Sequence, residues 1–259
     1  MLRAARKTLL IGLVTGGLVG LVTGGAIAAA GRYDGDGASW DQHSATERVL
    51  VVGDSLVGQT RPMLQSFAAT RADAIQVSFV SGGAPCDFLA DYGKGMTDFQ
   101  ATRVEFAFVG NKDSACMQKE MGYHAPSSLR PQDKNLIHSL YRRDLLALIR
   151  FNKAHHVVSW LALPPAMQPG SFFSQMNADL VNLYLSMARA DPANVRVNGM
   201  SRDLLTPGGK WRVTETLGHK QVYLRKNDGT HLIAPAGTYQ NALGLLLPLV
   251  LDDRHLRNA

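Results

Sequence analysis

The sequence predicts an α/β protein, a three-layer α/β/α sandwich around a parallel sheet of about five strands. Three observations lead there. Short apolar runs rich in β-branched residues recur at 49–52, 75–80, 104–109, 156–163 and 195–197, and stretches with helical periodicity alternate with them. The first run, Val49-Leu50-Val51-Val52, lacks polar alternation, which marks a strand covered on both faces, as in parallel sheets. The length of 259 residues and the 46% hydrophobic content suit one α/β domain of about 200 residues plus an extension.

The extension comes first. Arg3, Arg6 and Lys7 precede an uncharged, mostly apolar stretch, and residues 9–30 are 22 in number, enough to cross a bilayer of about 30 Å as a helix. This is either a retained transmembrane anchor or a signal peptide, for which Ala26-Ile27-Ala28 offers a cleavage site. With the positive charges ahead of it, residues 1–8 would stay cytoplasmic and the rest would lie outside, membrane-bound or secreted. Gly12, Gly16, Gly20 and Gly24 share one helix face, a stripe that permits self-association, although small residues are also common in exported segments. Residues 31–46 are polar and read as a linker, 47–252 as the domain and 253–259 as a tail.

Within the domain, the strand at 49–52 is followed by a helix at 62–70. A long helix at 133–154 carries Leu136, Leu140, Leu145, Leu148 and Ile149 at broadly helical spacing, and another covers 172–190. Residues 211–225 break the alternation with two β-like runs around Leu217-Gly218-His219, a hairpin that is either a flap beside the site or an edge ornament. An apolar helix at 235–251 closes the fold.

Composition excludes several classes. The net charge is +6, but from residue 32 onward there are 24 basic against 21 acidic residues and no basic run interleaved with aromatics, so no nucleic-acid partner is expected. Two cysteines, Cys86 and Cys116, lack zinc-site spacing. His124, His138, His155 and His156 form no metal-ligand pattern, so neither metal nor cofactor is expected. Met63, Phe67, Phe106 and Phe108 read as core, while Phe88, Tyr92 and Met117 either line an acyl pocket or pack their loops.

The chemistry sits at strand ends. Val49-Leu50-Val51-Val52 runs into Gly53-Asp54-Ser55-Leu56, which places a hydroxyl at the carboxyl edge of the sheet, where ligands of such folds gather. The plainer reading is a helix N-cap. Near the other end, Asp228 and His231 stand three residues apart, after the last strand run and before the last helix. A serine hydroxyl needs a base such as imidazole, and the base needs an acid to fix its tautomer. Donors for an oxyanion are available where the second strand ends on Gly82 and Gly83 and the third on Gly110 and Asn111.

These blocks, Gly53-Asp54-Ser55-Leu56, Gly82/Gly83, Asn111 and Asp228-x-x-His231, resemble the SGNH (GDSL) hydrolases over roughly residues 47–252. The third block departs from the common Gly-x-Asn-Asp form, reading Gly110-Asn111-Lys112-Asp113. The resemblance implies a flavodoxin-like sheet, with Ser55 as nucleophile, His231 as base and Asp228 as its orienting acid. It implies an oxyanion hole of the Ser55 amide, the amide of Gly82 or Gly83, and the Asn111 side chain. The cysteines beside these blocks and the exported start are similar to actinobacterial cell-envelope members and to SGNH domains of membrane acyltransferases. A Cys86–Cys116 disulfide is expected, because neighbouring strands bring the two loops together outside the cytoplasm. The function expected is an exported esterase removing O-acyl groups from a cell-envelope glycan or glycolipid through an acyl-serine. The alternatives are O-acyl transfer to a sugar hydroxyl and a catalytically silent scaffold. Asp54 is expected to brace its turn.

Overall fold

The computed structural model describes residues 47–69, 74–123 and 128–256. The expected anchor at 9–30, its glycine stripe, the linker and His124 lie outside the described residues. No helix among those described is long and apolar enough to cross a membrane.

Strands β1 (Arg48–Gly53), β2 (Ala74–Phe79), β3 (Arg103–Ala107), β4 (Val158–Ala162) and β5 (Val195–Asn198) form one sheet in the order β2-β1-β3-β4-β5. All four pairings are parallel. This is the doubly wound flavodoxin-like order, with the crossovers carried by helices. The helices are α1 (Ser55–Ala69), α2 (Tyr92–Phe99), α3 (Ala115–Met121), α4 (Pro131–Ala154), α5 (Phe172–Ala190), α6 (Met200–Leu205) and α7 (Ala236–Leu256).

β1 explains the unbroken apolar run. Leu50 and Val52 are buried in one core with residues of α2, α3, α4 and α5, including Met96, Leu145 and Leu180. Val49 and Val51 are buried in another with Val57 and Leu64 of α1 and Ala242 and Leu245 of α7. Successive side chains thus serve opposite layers, each full burial contributing about 1.5–3 kcal/mol. Met63 and Phe67 border the second core, and Phe88, Tyr92, Phe106, Phe108 and Met117 belong to the first. Phe88, Tyr92 and Met117, the candidates for an acyl pocket, are thus buried in this core as packing residues.

Several boundaries differ from expectation, three of them for identifiable local reasons. β3 stops at Ala107 because the Val109 N–H leaves the sheet to donate to Asp54 Oδ2 at 2.9 Å. β4 starts at Val158, not 156, because the amides of His155, His156 and Val157 bond back to Asn152 O or Lys153 O and close α4. α1 starts at Ser55 rather than at 62, and Pro62 lies inside it on the exposed face, where water can meet the carbonyl freed one turn earlier. α7 continues to Leu256, beyond the expected end at 251.

The hairpin is present as β6 (Thr214–Leu217) and β7 (Lys220–Tyr223), joined by Gly218-His219. It is tied at its base: Arg212 pairs with Glu215 at 3.1 Å, and Gln240 of α7 donates to the same carboxylate. Trp211, just before it, reaches the turn that carries Asp228.

Candidate active site

Four loops at the carboxyl edge of the sheet meet. The first is the β1–α1 turn. Asp54 is the N-cap of α1: its carbonyl accepts from Gly58 N at 3.1 Å and its Oδ1 from Leu56 N at 3.0 Å. Oδ2 accepts from Val109 N at 2.9 Å and from Asn111 Nδ2 at 3.1 Å. Burial pushes this carboxyl up to about 6 against the pull of those donors. Asp54 therefore joins the loop after β1 to the loop after β3. Ser55 is the first residue of α1, so its amide is among those a helix leaves unused at its positive end.

The second loop, 226–232, presents the expected base, His231. Asp228 Oδ1 accepts from Thr230 N at 2.9 Å and His231 N at 2.8 Å, closing an Asx-type turn. Asp228 Oδ2 lies 2.8 Å from His231 Nδ1, and His231 Nε2 lies 3.1 Å from Ser55 Oγ. The three residues form one hydrogen-bonded chain across 176 positions of sequence. Burial alone would raise the Asp228 carboxyl, but the N–H groups of His231 and Thr230 and the imidazole outweigh it and hold it below its ordinary value. Gly229 is required in this turn: its φ is +71°, and a Cβ would fall 2.0 Å from Gln168 Oε1.

The third and fourth loops are cross-linked. Gly83 N donates to Val80 O at 2.9 Å, so its amide is occupied by its own turn. Gly82 has φ +68° and open space where a Cβ would stand, and of the two glycine amides it is the one not bonded within the turn. Asn111 Nδ2 donates to both Asp54 Oδ2 and Gly83 O, each at 3.1 Å. In this state the Asn111 amide locks the two loops together, and donating to a bound oxyanion requires it to exchange Gly83 O for the ligand. The Tyr141 hydroxyl donates to Asn111 O at 2.9 Å and fixes the loop from α4.

Cys86 and Cys116 form a disulfide with Cα atoms 6.0 Å apart, joining the 3₁₀ turn Pro85–Phe88 to α3. Among the described residues, the one trio of metal-type side chains in mutual reach is Cys86, Asp87 and Cys116, and its two sulfurs are bonded to each other. His155 instead stacks on Phe151 with ring centroids 4.3 Å apart.

Residues the sequence did not mark hold the histidine turn. Gln59 Oε1 accepts from Leu232 N at 3.0 Å, Trp211 Nε1 donates to Gly229 O at 3.1 Å, and Arg225 Nη1 donates to Thr230 O at 2.6 Å. Of these, only Gln59 carried a signal, standing four residues after Ser55 and thus on the same helix face.

No profile of a known protein family matches the sequence, and no curated protein does. Solved structures do. A lipase/acylhydrolase from Enterococcus faecalis is similar at 16% identity and a TM-score of 0.52, covering 80% of this chain and 96% of its own. A psychrotrophic esterase from Pseudoalteromonas is similar at 11% identity and 0.51, covering 79% and 100%. A GDSL-like lipase from Bacteroides thetaiotaomicron is similar at 14% identity and 0.50, covering 80% and 89%. The chain has the fold of the SGNH, or GDSL, hydrolases.

Proposed function

We propose that this chain is a serine esterase of SGNH type that hydrolyses O-acyl esters through an acyl-serine at Ser55. The observation that carries the reading is the hydrogen-bonded chain from Asp228 through His231 to Ser55. His231 Nε2 takes the Ser55 proton as Oγ attacks the acyl carbonyl, and Asp228 holds Nδ1–H so that Nε2 is the free acceptor. The oxyanion forms near the Ser55 and Gly82 amides and Asn111. As the intermediate collapses, the C–O bond to the alcohol breaks and the alcohol leaves with the proton from His231. Water then gives a proton to His231 and attacks the acyl-serine, and the carboxylic acid is released as Ser55 recovers its proton.

The proposal includes export by the amino-terminal segment and, from that location, O-acyl groups on a cell-envelope glycan or glycolipid as substrate. A fluorophosphonate probe tests the chemistry: Ser55 Oγ should bond to phosphorus with loss of fluoride in the wild type, and labelling should vanish in Ser55→Ala. A folded wild type that is not labelled would support a silent scaffold instead. Product analysis with added sugar then separates water from a sugar hydroxyl as acceptor.

The pH dependence follows from two groups. The imidazole must be neutral to accept a proton, and Asp54, raised to about 6, must be ionised for both its oxygens to act purely as acceptors, Oδ1 from Leu56 and Oδ2 from Val109 and Asn111. The rate kcat/KM should fall as pH drops through about 6. Because the folded-state value of Asp54 lies above its unfolded one, its contribution to stability is complete below about 4 and lost as pH rises through about 6. Asp54 itself therefore favours the fold where the rate is lost. A flat rate profile between about pH 5 and 8 contradicts the assignment.

A further inference from the structure

Arg225 is a buried cation that the proposed chemistry does not use. It is fully buried just after β7, and its Nη1 donates to Thr230 O at 2.6 Å. Its remaining polar contact is Met167 Sδ, 3.8 Å from the same Nη1, and its Nε and Nη2 have no partner among the described residues. Burying a guanidinium this way is costly, since a bound carboxylate usually compensates. An apolar side chain would fill the same space beside Met167, which belongs to a buried apolar cluster with Leu205 and Leu232. What an apolar side chain could not do is hold the Thr230 carbonyl, which lies between Asp228 and His231.

Gln59 grips the same turn two residues further on. It lies one turn of α1 after Ser55, and its Oε1 takes the N–H of Leu232, the residue after His231. One helix thus carries the hydroxyl and an anchor for the segment that carries the imidazole. The turn closes on itself, through both carboxylate oxygens of Asp228 and through Lys226 N donating to His231 O at 2.8 Å, and Trp211 holds its Gly229 carbonyl; its bond to the nucleophile's helix, besides that between Ser55 and His231, is the one from Gln59. The 3.1 Å separation between Ser55 Oγ and His231 Nε2 then depends on where Thr230 and Leu232 are held.

We infer that Gln59 and Arg225 are positioning residues that clamp the histidine turn to the nucleophile's helix and so set the Ser55–His231 distance. This rests on the esterase reading of the site. Neither residue touches the reacting atoms, so its loss should act on kcat and leave ester binding alone.

The test uses steady-state hydrolysis of a short activated ester, the rate of fluorophosphonate labelling, and thermal melting of the same variants. Gln59→Ala should lower kcat and the labelling rate about 10- to 100-fold, with KM changed by less than about threefold, as expected for a misplacement of about 1 Å. Gln59→Glu keeps an acceptor for Leu232 N and should recover most of the rate. Arg225→Met should lower kcat by a similar factor while the melting temperature holds or rises, because an uncompensated buried charge is removed. Arg225→Lys, which keeps a donor without the fork, should fall between wild type and Arg225→Met. A purely structural role predicts the reverse for Arg225→Met, a lower melting temperature with the rate per folded molecule retained, and that result overturns the inference. So does a Gln59→Ala variant that labels as fast as wild type. If Gln59→Ala does not fold, the two Arg225 variants decide alone. Absence of Ser55 labelling in the wild type would instead sink the esterase reading, so the two failures are distinguishable.

Discussion

Replacing His231 by alanine is expected to lower kcat by about four to six orders of magnitude, with KM little changed. A serine hydroxyl without a base is a poor nucleophile, and loss of one member of such a unit removes nearly the whole benefit of the unit. The geometry makes His231 the group that can serve: Nε2 is 3.1 Å from Ser55 Oγ and Nδ1 is held by Asp228 at 2.8 Å. Asp228→Asn should cost less, up to about 10⁴-fold in kcat. Its Oδ1 would still accept the Thr230 and His231 amides and keep the turn, but its NH₂ would face Nδ1 and move the imidazole proton to Nε2, the wrong tautomer. The Asp228 side chain is 46% exposed, so water can also take over part of its role. Steady-state kinetics on the two purified variants checks both statements. A His231→Ala enzyme within tenfold of wild type would rule out the assignment.

The residues proposed as nucleophile and base were legible because each stands in a local pattern that marks the edge of a sheet. Val49-Leu50-Val51-Val52 is apolar on both faces and stops abruptly at Asp54-Ser55, and Asp228-x-x-His231 falls between the last β run and the last helix. The parallel sheet was legible for the same reason, since its strands are buried on both sides. The start of α1 was legible in part: the N-cap reading of Asp54-Ser55 names the actual cap, Asp54, while the helix placed from Pro62 begins seven residues late. α2 was missed although Tyr92, Met96 and Phe99 are spaced for one face: it has eight residues, and Gly93 and Gly95 argue against a helix. Gly93 is there because a Cβ would meet the Phe151 ring at 2.9 Å, a tertiary fact that no local window contains. The clamp on the histidine turn was out of reach on the same ground. Arg225 and Trp211 act through backbone carbonyls, and a carbonyl's partner leaves no mark in its own sequence.

Removing the Cys86–Cys116 disulfide is expected to lower the melting temperature by about 10 °C and to depress kcat more than KM. The bond closes a loop with a sequence separation of 30, for which the chain-entropy relation gives about 3.6 kcal/mol. For a domain near 200 residues each kcal/mol is about 2–4 °C, which sets the size of the shift. The effect on rate follows from what the bond joins. Gly83 lies three residues before Cys86 and Asn111 five before Cys116, and the same two loops are linked a second time by Asn111 Nδ2 donating to Gly83 O at 3.1 Å. That hydrogen bond has to exchange for the oxyanion during the reaction, and at that moment the disulfide is the link that keeps the Gly82 amide and the Asn111 side chain in register. Without it, the polar contacts that remain near Cys86, Asp87 Oδ2 accepting from Ala84 N at 2.7 Å and Gly83 N donating to Val80 O at 2.9 Å, lie within that loop and do not reach Asn111. Binding of the ester's remote parts does not depend on that register, whereas the tetrahedral intermediate does, so the loss should fall on kcat by about tenfold. Cys86→Ser with Cys116→Ser and chemical reduction of the wild type should agree, each monitored by melting and by steady-state kinetics. A fully reduced protein, verified by alkylation and mass spectrometry, that melts within about 2 °C of the oxidised form would show that the loop is already ordered in the unfolded ensemble and that the register is held by other means.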